Sequence, residues 1–153
     1  MQWAADARTK TDLLTDGFVR ELQRRMFDRT WRWAGRYRQS DKNIGIEWAQ
    51  VPIRIRDLLA DGRYWVDHDT YPNVEIAVRL HHRLVAINPF PNGNGRHGRL
   101  IADLVLTNLG GSPLPWGRSD LMQESDVRVR YIDALRRAVA GDIAPLLAFA
   151  QGQ

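Results

Sequence analysis

Twelve residues near the middle of the chain decide how the rest is interpreted: Asn88-Pro89-Phe90-Pro91-Asn92-Gly93-Asn94-Gly95-Arg96-His97-Gly98-Arg99. They combine prolines, which end a helix, with glycines, which let the backbone turn tightly. An apolar run over 100–109 follows at once and predicts a new helix that begins near Arg96. A helix N-terminus presents unpaired N–H groups and partial positive charge, and glycines before it let an anion approach closely. The stretch, called the motif segment below, therefore predicts an anion-binding loop that leads into a helix.

Two arginines strengthen this interpretation. Arg96 and Arg99 lie three residues apart, so they share one face of the first helical turn. Both guanidinium groups can hold anionic oxygens with forked geometry. The plainer alternative is a helix–helix turn in which Asn94 is the N-cap and both arginines are solvated. A lone Gly-x-Gly would favour that alternative, whereas the ordered set of glycines, asparagines, prolines and arginines favours an anion site.

Hydrophobic periodicity predicts helices on both sides of the motif segment. The expected helices are 11–27, one from Pro52, one from about 72 to 87, one from about 96 to 109, one from 125 or 126 to 140, and 142–150. Residues 36–50 differ, because two alternating stretches around a turn predict a small β-hairpin. An irregular surface loop fits the same residues equally well. The expected fold class is all-α, as a single domain over residues 1–153.

Composition narrows the class of protein. The chain has 153 residues, 44% of them hydrophobic, with six tryptophans and no cysteine, which predicts one domain with a packed core and no disulfides. It has neither an apolar run of about 18 residues nor a signal-like start, so we expect a cytoplasmic protein without a membrane span. A net charge of +4 suits anionic partners such as nucleotides. Because the charges form no long block, direct nucleic-acid binding is not expected.

The motif segment closely resembles the core motif of the Fic domain family, His-x-Phe-x-[Asp/Glu]-Gly-Asn-Gly-Arg-x-x-Arg. The resemblance implies a Fic-type helical bundle with a small β-hairpin flap at about 36–50 and an active-site loop and helix start at 88–99. It implies a protein adenylyltransferase, which transfers AMP from ATP to a hydroxyl group of a target protein with the help of Mg²⁺. It also implies that Gly93, Asn94 and Gly95 surround the phosphates. Arg96 would support the loop, and Arg99 would contact the terminal phosphates.

Other segments resemble the branch of this family called mobile mystery protein B. That resemblance implies a flap that binds a target protein by adding a strand. It also implies a possible small helix-turn-helix or antitoxin-like partner. The residues expected at the target-binding flap are Asn43, Ile44, Gly45 and Ile46. The segments that carry the resemblance are Asp41-Lys42-Asn43-Ile44-Gly45, Arg63-Tyr64-Trp65, His81-His82-Arg83-Leu84-Val85-Ala86-Ile87 and 90–97.

The chain departs from the Fic motif at two positions that carry chemistry. Asn88 stands where the family has its histidine, and an amide cannot accept the proton that a general base must take. Asn92 stands where the family usually has a carboxylate, so any Mg²⁺ site is weakened. Adenylyl transfer is therefore expected to be lost or strongly impaired in this sequence. Asn88 also has a purely structural interpretation, as a polar residue that ends a helix before a proline.

Other histidines are weaker candidates for chemistry. His97 follows Arg96 directly, so we expect it to point away from the anion site as a partly exposed helix residue. His81 and His82 are adjacent on a helix and do not face one another, and His81 is expected to be packed or hydrogen-bonded in the core. Three functions remain open: an adenylyltransferase with an impaired base, a pseudoenzyme that binds a nucleotide and a peptide, and a toxin-like member of a toxin–antitoxin-type pair.

Overall fold

The computed structural model describes residues 13–117 and 124–153 of the chain. Within these residues the fold is built from α-helices, and a single 3₁₀ turn, Trp48–Gln50, precedes the second of them. The helices are α1 (Asp16–Phe27), α2 (Val51–Asp67), α3 (Asn73–Ile87), α4 (Asn94–Asn108), α5 (Glu124–Val139) and α6 (Ala144–Ala150). The prediction of an all-α fold is confirmed for this part of the chain. None of these helices is long and apolar enough to cross a bilayer.

Local sequence explains where the helices begin. The Thr15 hydroxyl caps α1 by accepting the Phe18 N–H at 3.1 Å, as its residue type favours. The predicted start of this helix at residues 11–12 lies outside the described residues. Pro52 occupies the first turn of α2, where its missing N–H costs nothing. At the end of α3, Pro89 follows a cap residue with left-handed backbone, so the chain turns directly into the motif segment.

Helix α3 lies at the centre of the bundle and packs against α2, α4, α5 and α6, while α1 packs against α2 and α4. Two groups of buried apolar side chains hold these helices together. The first joins α1, α2 and α3 to the motif segment through residues such as Leu22, Ile55, Leu80 and Phe90. The second joins α3 and α4 to α5 and α6 through residues such as Leu106, Ala134, Leu146 and Phe149. The α3–α4 connection is therefore held between two packed cores, which fixes the motif segment in place.

The predicted β-hairpin over 36–50 is wrong, because this segment, called the flap below, contains no strand in the structure. The reason is that its backbone donors find partners elsewhere. The Arg38 N–H donates to the Pro89 carbonyl at 2.9 Å, and the Ile46 N–H donates to the Ile87 carbonyl at 3.4 Å. The two expected strands therefore bond to the α3–α4 connection rather than to each other, and no ladder forms between them.

Candidate functional site

Asn88 ends helix α3 with φ 53° and ψ 60°, which is the left-handed region. Asparagine is one of the few non-glycine residues that visit this region readily. Its own N–H donates to the Leu84 carbonyl at 3.1 Å and closes the last helical turn. The side chain is almost fully buried, so its two polar atoms need partners inside the protein.

Asn94 supplies one of those partners and closes the loop on itself. Its Nδ2 donates to the Asn88 Oδ1 at 2.8 Å and to the Phe90 carbonyl at 2.8 Å. Its Oδ1 accepts the Phe90 N–H at 2.9 Å. The N-cap of α4 is Gly93, so the alternative in which Asn94 is the N-cap is wrong. The Asn94 amide instead ties the loop to the position of the family's histidine.

Gly93 and Gly95 have different roles in the motif segment. Gly93 has φ +75°, and a Cβ built on it would lie 2.7 Å from the Phe27 ring, so only glycine fits. Gly95 is helical and open, and a Cβ on it would meet only an Arg99 guanidinium nitrogen at 3.6 Å and the Tyr131 hydroxyl at 3.9 Å. Gly93 therefore fixes the turn, whereas Gly95 leaves space at the N-terminus of α4 beside a cation and a hydroxyl.

That space opens into a cavity of about 530 Å³ between α4, α5 and α6. Three guanidinium groups line it, from Arg96, Arg99 and Arg128, and no acidic side chain of the described residues does so. Several guanidinium groups beside low-dielectric walls focus a positive potential, which favours an anionic ligand. The remaining wall is mostly apolar or aromatic. It consists of Trp116, Val127, Tyr131, Ile132 and Phe149.

Tyr131 connects this cavity to the core. The Arg99 guanidinium lies 5.4 Å from the centre of the Tyr131 ring, and the hydroxyl is hydrogen-bonded to the His81 Nε2 at 2.8 Å. Burial raises the pKa of Tyr131, and the charge of Arg99 opposes that rise. Burial lowers the pKa of His81 to about 3, so its ring is neutral near pH 7. The expectation that His81 is packed and hydrogen-bonded in the core is confirmed.

His97 is buried, so the expectation of a partly exposed helix residue is wrong. Helix α1 covers this side of α4, and the His97 Nε2 donates to the Val19 carbonyl at 2.8 Å. The ring also meets the edge of Phe90 with centroids 5.0 Å apart. Burial lowers the pKa of His97 to about 4. His97 thus holds α4 against α1 and does not face the cavity.

The flap contacts the site through Asn88. The Asn88 Nδ2 points to the Ile44 carbonyl at 3.5 Å, and a Cβ on Gly45 would lie 2.6 Å from the Asn88 Cβ. The side chain of Ile44 is 67% exposed, and Asn43 is exposed beside it. The structure therefore brings the predicted flap residues next to position 88 and leaves an apolar side chain available to a partner.

Sequence reasoning missed Arg38, which is the most buried charged residue at the site. The residue is 2% exposed, and its guanidinium donates to backbone carbonyls of both the flap and the α3–α4 connection. The only signal in the sequence is a single arginine within an aromatic and basic stretch, and that pattern does not distinguish a buried arginine from a solvated one.

The residues present do not form a metal site by themselves. Asn92 is exposed and offers one neutral amide oxygen, which is a weak ligand for Mg²⁺. Within 13–117 and 124–153, no three histidine, cysteine or acidic side chains lie close enough to hold a metal ion. Any Mg²⁺ here would have to be held mainly by the oxygens of a bound phosphate.

This geometry coincides with a match to a known family. The Fic/DOC family matches residues 13–106, and the chain belongs to that family. It is 28% identical over 144 residues to "Protein adenylyltransferase Fic" of Nematostella vectensis, an alignment that covers 92% of this chain and 32% of the relative. It is 35% identical over 72 residues to "Uridine 5'-monophosphate transferase" of Xanthomonas campestris, which covers 42% of this chain and 13% of the relative. The chain therefore spans at most about a third of these relatives.

Solved structures show the same fold. The protein BepC of Bartonella tribocorum, solved with bound AMPPNP, has a TM-score of 0.70 to this chain at 14% identity. The alignment covers 98% of this chain and 78% of BepC. At that identity the likeness establishes the helical architecture alone, and the chemistry has to be argued from the residues of the site.

Proposed function

We propose that this chain is the nucleotide-binding domain of a Fic-type protein adenylyltransferase, and that Asn88 prevents efficient transfer. The observation that carries the proposal is the cavity at the start of α4, which combines three guanidinium groups with an open glycine and has no acidic side chain of the described residues in its lining. A nucleoside triphosphate matches this environment, because it joins several negative charges to a flat apolar base. The adenylyltransferase name of the Nematostella relative and the AMPPNP bound to BepC support ATP as the nucleotide.

The phosphates would lie at the N-terminus of α4. Free backbone N–H groups there favour anionic oxygens, and Gly95 lets those oxygens come close. Arg99 and Arg96 project from the same turn and can bind the oxygens through charge-assisted hydrogen bonds. Hydrophobic and aromatic walls such as Trp116 and Tyr131 suit the nucleoside, as in most small-molecule sites.

The transfer step needs a base that Asn88 does not provide. A target hydroxyl would attack the α-phosphorus, form a new P–O bond and release pyrophosphate, and its proton must pass to an acceptor. The Asn88 amide is not basic, and its Oδ1 already accepts from Asn94. The loss of a general base typically slows such a step by about 10²–10⁴-fold. The chain as written is therefore proposed to bind the nucleotide and to transfer AMP poorly.

A second candidate is a pseudoenzyme that binds a nucleotide and a target segment without chemistry. It is favoured by the way Asn88 fits its position, because both side-chain polar atoms have neighbours and the left-handed backbone suits asparagine. Target docking at Asn43–Ile46, and a helix-turn-helix or antitoxin-like partner, stay predictions. The two candidates differ only in whether a base at position 88 restores transfer.

The nucleotide site can be tested by calorimetry with ATP, and with UTP because of the Xanthomonas relative. Arg99→Ala should weaken nucleotide binding about 10–100-fold, because it removes charge-assisted hydrogen bonds to phosphate. Arg137→Ala is the matched control, since Arg137 pairs with Asp133 on α5 and does not line the cavity. Equal affinities for the two variants, or no binding by the unmodified chain, would contradict the proposal.

A further inference from the structure

Arg38 lies between the flap and the end of α3, where its guanidinium is enclosed by backbone oxygens. Its Nε donates to the Asn88 carbonyl at 2.6 Å, and one terminal nitrogen donates to the Ser40 carbonyl at 2.9 Å. The other terminal nitrogen donates to the Ile46 carbonyl and, at 3.3 Å, to the Ile87 carbonyl. All three nitrogens of one guanidinium are therefore used, with two acceptors in the flap and two at the helix end.

The helix end explains why a buried cation is tolerated there. The last carbonyls of a helix have no partner within the helix and carry partial negative charge. Ile87 and Asn88 are the last residue and the cap of α3, and Arg38 satisfies both carbonyls. The nearest carboxylate, Asp41, is 3.8 Å away and largely exposed, so backbone oxygens provide most of the compensation for the buried charge.

The same guanidinium holds the flap close to position 88. Apart from it, the backbone ties between the two segments are the Arg38 and Ile46 N–H groups, which donate to the α3–α4 connection. Gly45 packs against this arrangement, since a Cβ on it would lie 3.0 Å from an Arg38 terminal nitrogen and 2.9 Å from the Ile87 carbonyl. The flap is thus positioned by side-chain-to-backbone bonds where a β-ladder was expected.

We propose that Arg38 is a positioning residue that fixes the flap against position 88, and thereby sets where a target hydroxyl enters the site. The proposal rests on the proposed function for its second half. It concerns the flap and not the nucleotide, because Arg38 does not line the cavity. Lysine cannot replace it, because one ammonium nitrogen cannot reach four carbonyls arranged around a planar fork.

Hydrogen exchange measured by mass spectrometry tests the positioning directly. Arg38→Lys should speed exchange at the Ile46 amide and its flap neighbours by roughly tenfold or more, because hydrogen bonds from a charged group are lost. Exchange in α2, α4 and α6 should be unchanged. Arg63→Lys is the matched control, since the Arg63 guanidinium also donates to a backbone carbonyl, at Leu14, 2.5 Å away and outside the flap. Equal flap protection in all three proteins would overturn the proposal.

Two further measurements separate this proposal from the proposed function. ATP affinity by calorimetry should stay within about twofold in Arg38→Lys, whereas transfer in an Asn88→His background should fall at least about tenfold. If Asn88→His shows no transfer, the hydrogen-exchange result still decides the positioning. If Arg38→Lys does not fold, Gly45→Ala replaces it, because a Cβ there would lie 2.6 Å from the Asn88 Cβ and 3.0 Å from an Arg38 terminal nitrogen, and so would push the flap away from both. Unchanged flap exchange in that variant would count against the proposal.

Discussion

The motif segment and the flap meet at Asn88, but they are held in place by opposite means. The turn of the motif segment is closed by local bonds: Asn94 ties it to Phe90 and Asn88, four and six residues away. The flap depends on distant contacts, because Arg38 reaches carbonyls about fifty positions further along the chain. The turn is therefore closed mainly by its own residues, whereas the flap is held by the surface on which it lies.

This difference divides the site into a nucleotide side and a target side. The nucleotide side consists of the start of α4 and the cavity, and it is rigid because Gly93 and Phe90 are packed against α1 and the core. The target side consists of the flap, whose outer surface is exposed. Asn88 contacts both sides, because its side chain is hydrogen-bonded to Asn94 and points to the Ile44 carbonyl of the flap. Substitutions should accordingly change nucleotide binding, transfer and stability separately.

The largest effect is expected at the boundary itself, from Asn88→His. Histidine also tolerates left-handed backbone, and its Nδ1 occupies the position of the Asn88 Nδ2, which faces the Ile44 carbonyl. Donation from Nδ1 would leave the Nε2 unprotonated and basic. Transfer of AMP from α-labelled ATP to protein should then rise about 10²–10⁴-fold over the unmodified chain.

The control for this prediction is the double variant Asn88→His with Arg99→Ala. It keeps the new base and removes a phosphate contact, so transfer should fall again. If Asn88→His transfers no more than the unmodified chain while it still binds ATP, the chain is better described as a binding module. That result would also show that the two sides of the site are not coupled through position 88.

The next largest effect is expected for Gly93→Ala, on the rigid side. A left-handed backbone costs a side chain about 1–2 kcal/mol, and crowding against the Phe27 ring adds about 1–3 kcal/mol. The free energy of unfolding in urea should fall by about 2–5 kcal/mol. Gly141→Ala is the control, because Gly141 has φ +99° but no neighbour within 4 Å, so it measures the backbone cost alone. Equal losses in the two variants would mean that the turn is not held by Phe27.

The sequence predicted the turn and helix start of the nucleotide side, but it did not predict the structure of the flap. Apolar periodicity located the helices, and the glycines and prolines located the turn between α3 and α4, because these signals act within a few residues. The β-hairpin prediction for the flap was wrong because alternation gives a strand only where a partner strand is available. The backbone donors of Arg38 and Ile46 in the flap bond instead to the α3–α4 connection. The burial of His97 was predicted wrongly, and that of Arg38 was not predicted, for the same reason. Their burial depends on which segments cover them, and local pattern does not contain that information.

A pH dependence of stability should follow from the two buried histidines. Burial lowers the pKa of His81 to about 3 and of His97 to about 4, against 6.5 when exposed. Between the folded and unfolded pKa values the unfolded chain therefore binds more protons than the folded chain. The stability contributed by the neutral histidines is complete above pH 6.5 and is lost as the pH falls. For each histidine, the free energy of unfolding should fall by about 2 kcal/mol between pH 7 and pH 5.

Urea unfolding at pH 7 and pH 5 measures this loss. His97→Gln removes the titrating ring and keeps an amide donor for the Val19 carbonyl, so its loss should be smaller by about 2 kcal/mol. His68→Gln is the control, because His68 is exposed. An unaltered pH dependence in His97→Gln would show that His97 does not stay neutral in the folded protein.

The smallest expected effect is also the most specific, because it should separate stability from binding within the motif segment. Gly95→Ala adds a methyl group to a helical position with no close neighbour, which favours the helix by a few tenths to about 1 kcal/mol. The methyl group points toward the Arg99 guanidinium and the Tyr131 hydroxyl, where a phosphate is proposed to bind. Stability should therefore rise slightly while ATP affinity falls several-fold.

Gly17→Ala is the matched control, since Gly17 is also the second residue of a helix and lies in open space. This variant should gain stability without a change in ATP affinity. Unchanged affinity in Gly95→Ala would place the phosphates away from the start of α4. The nucleotide side would then be defined by the arginines of the cavity alone.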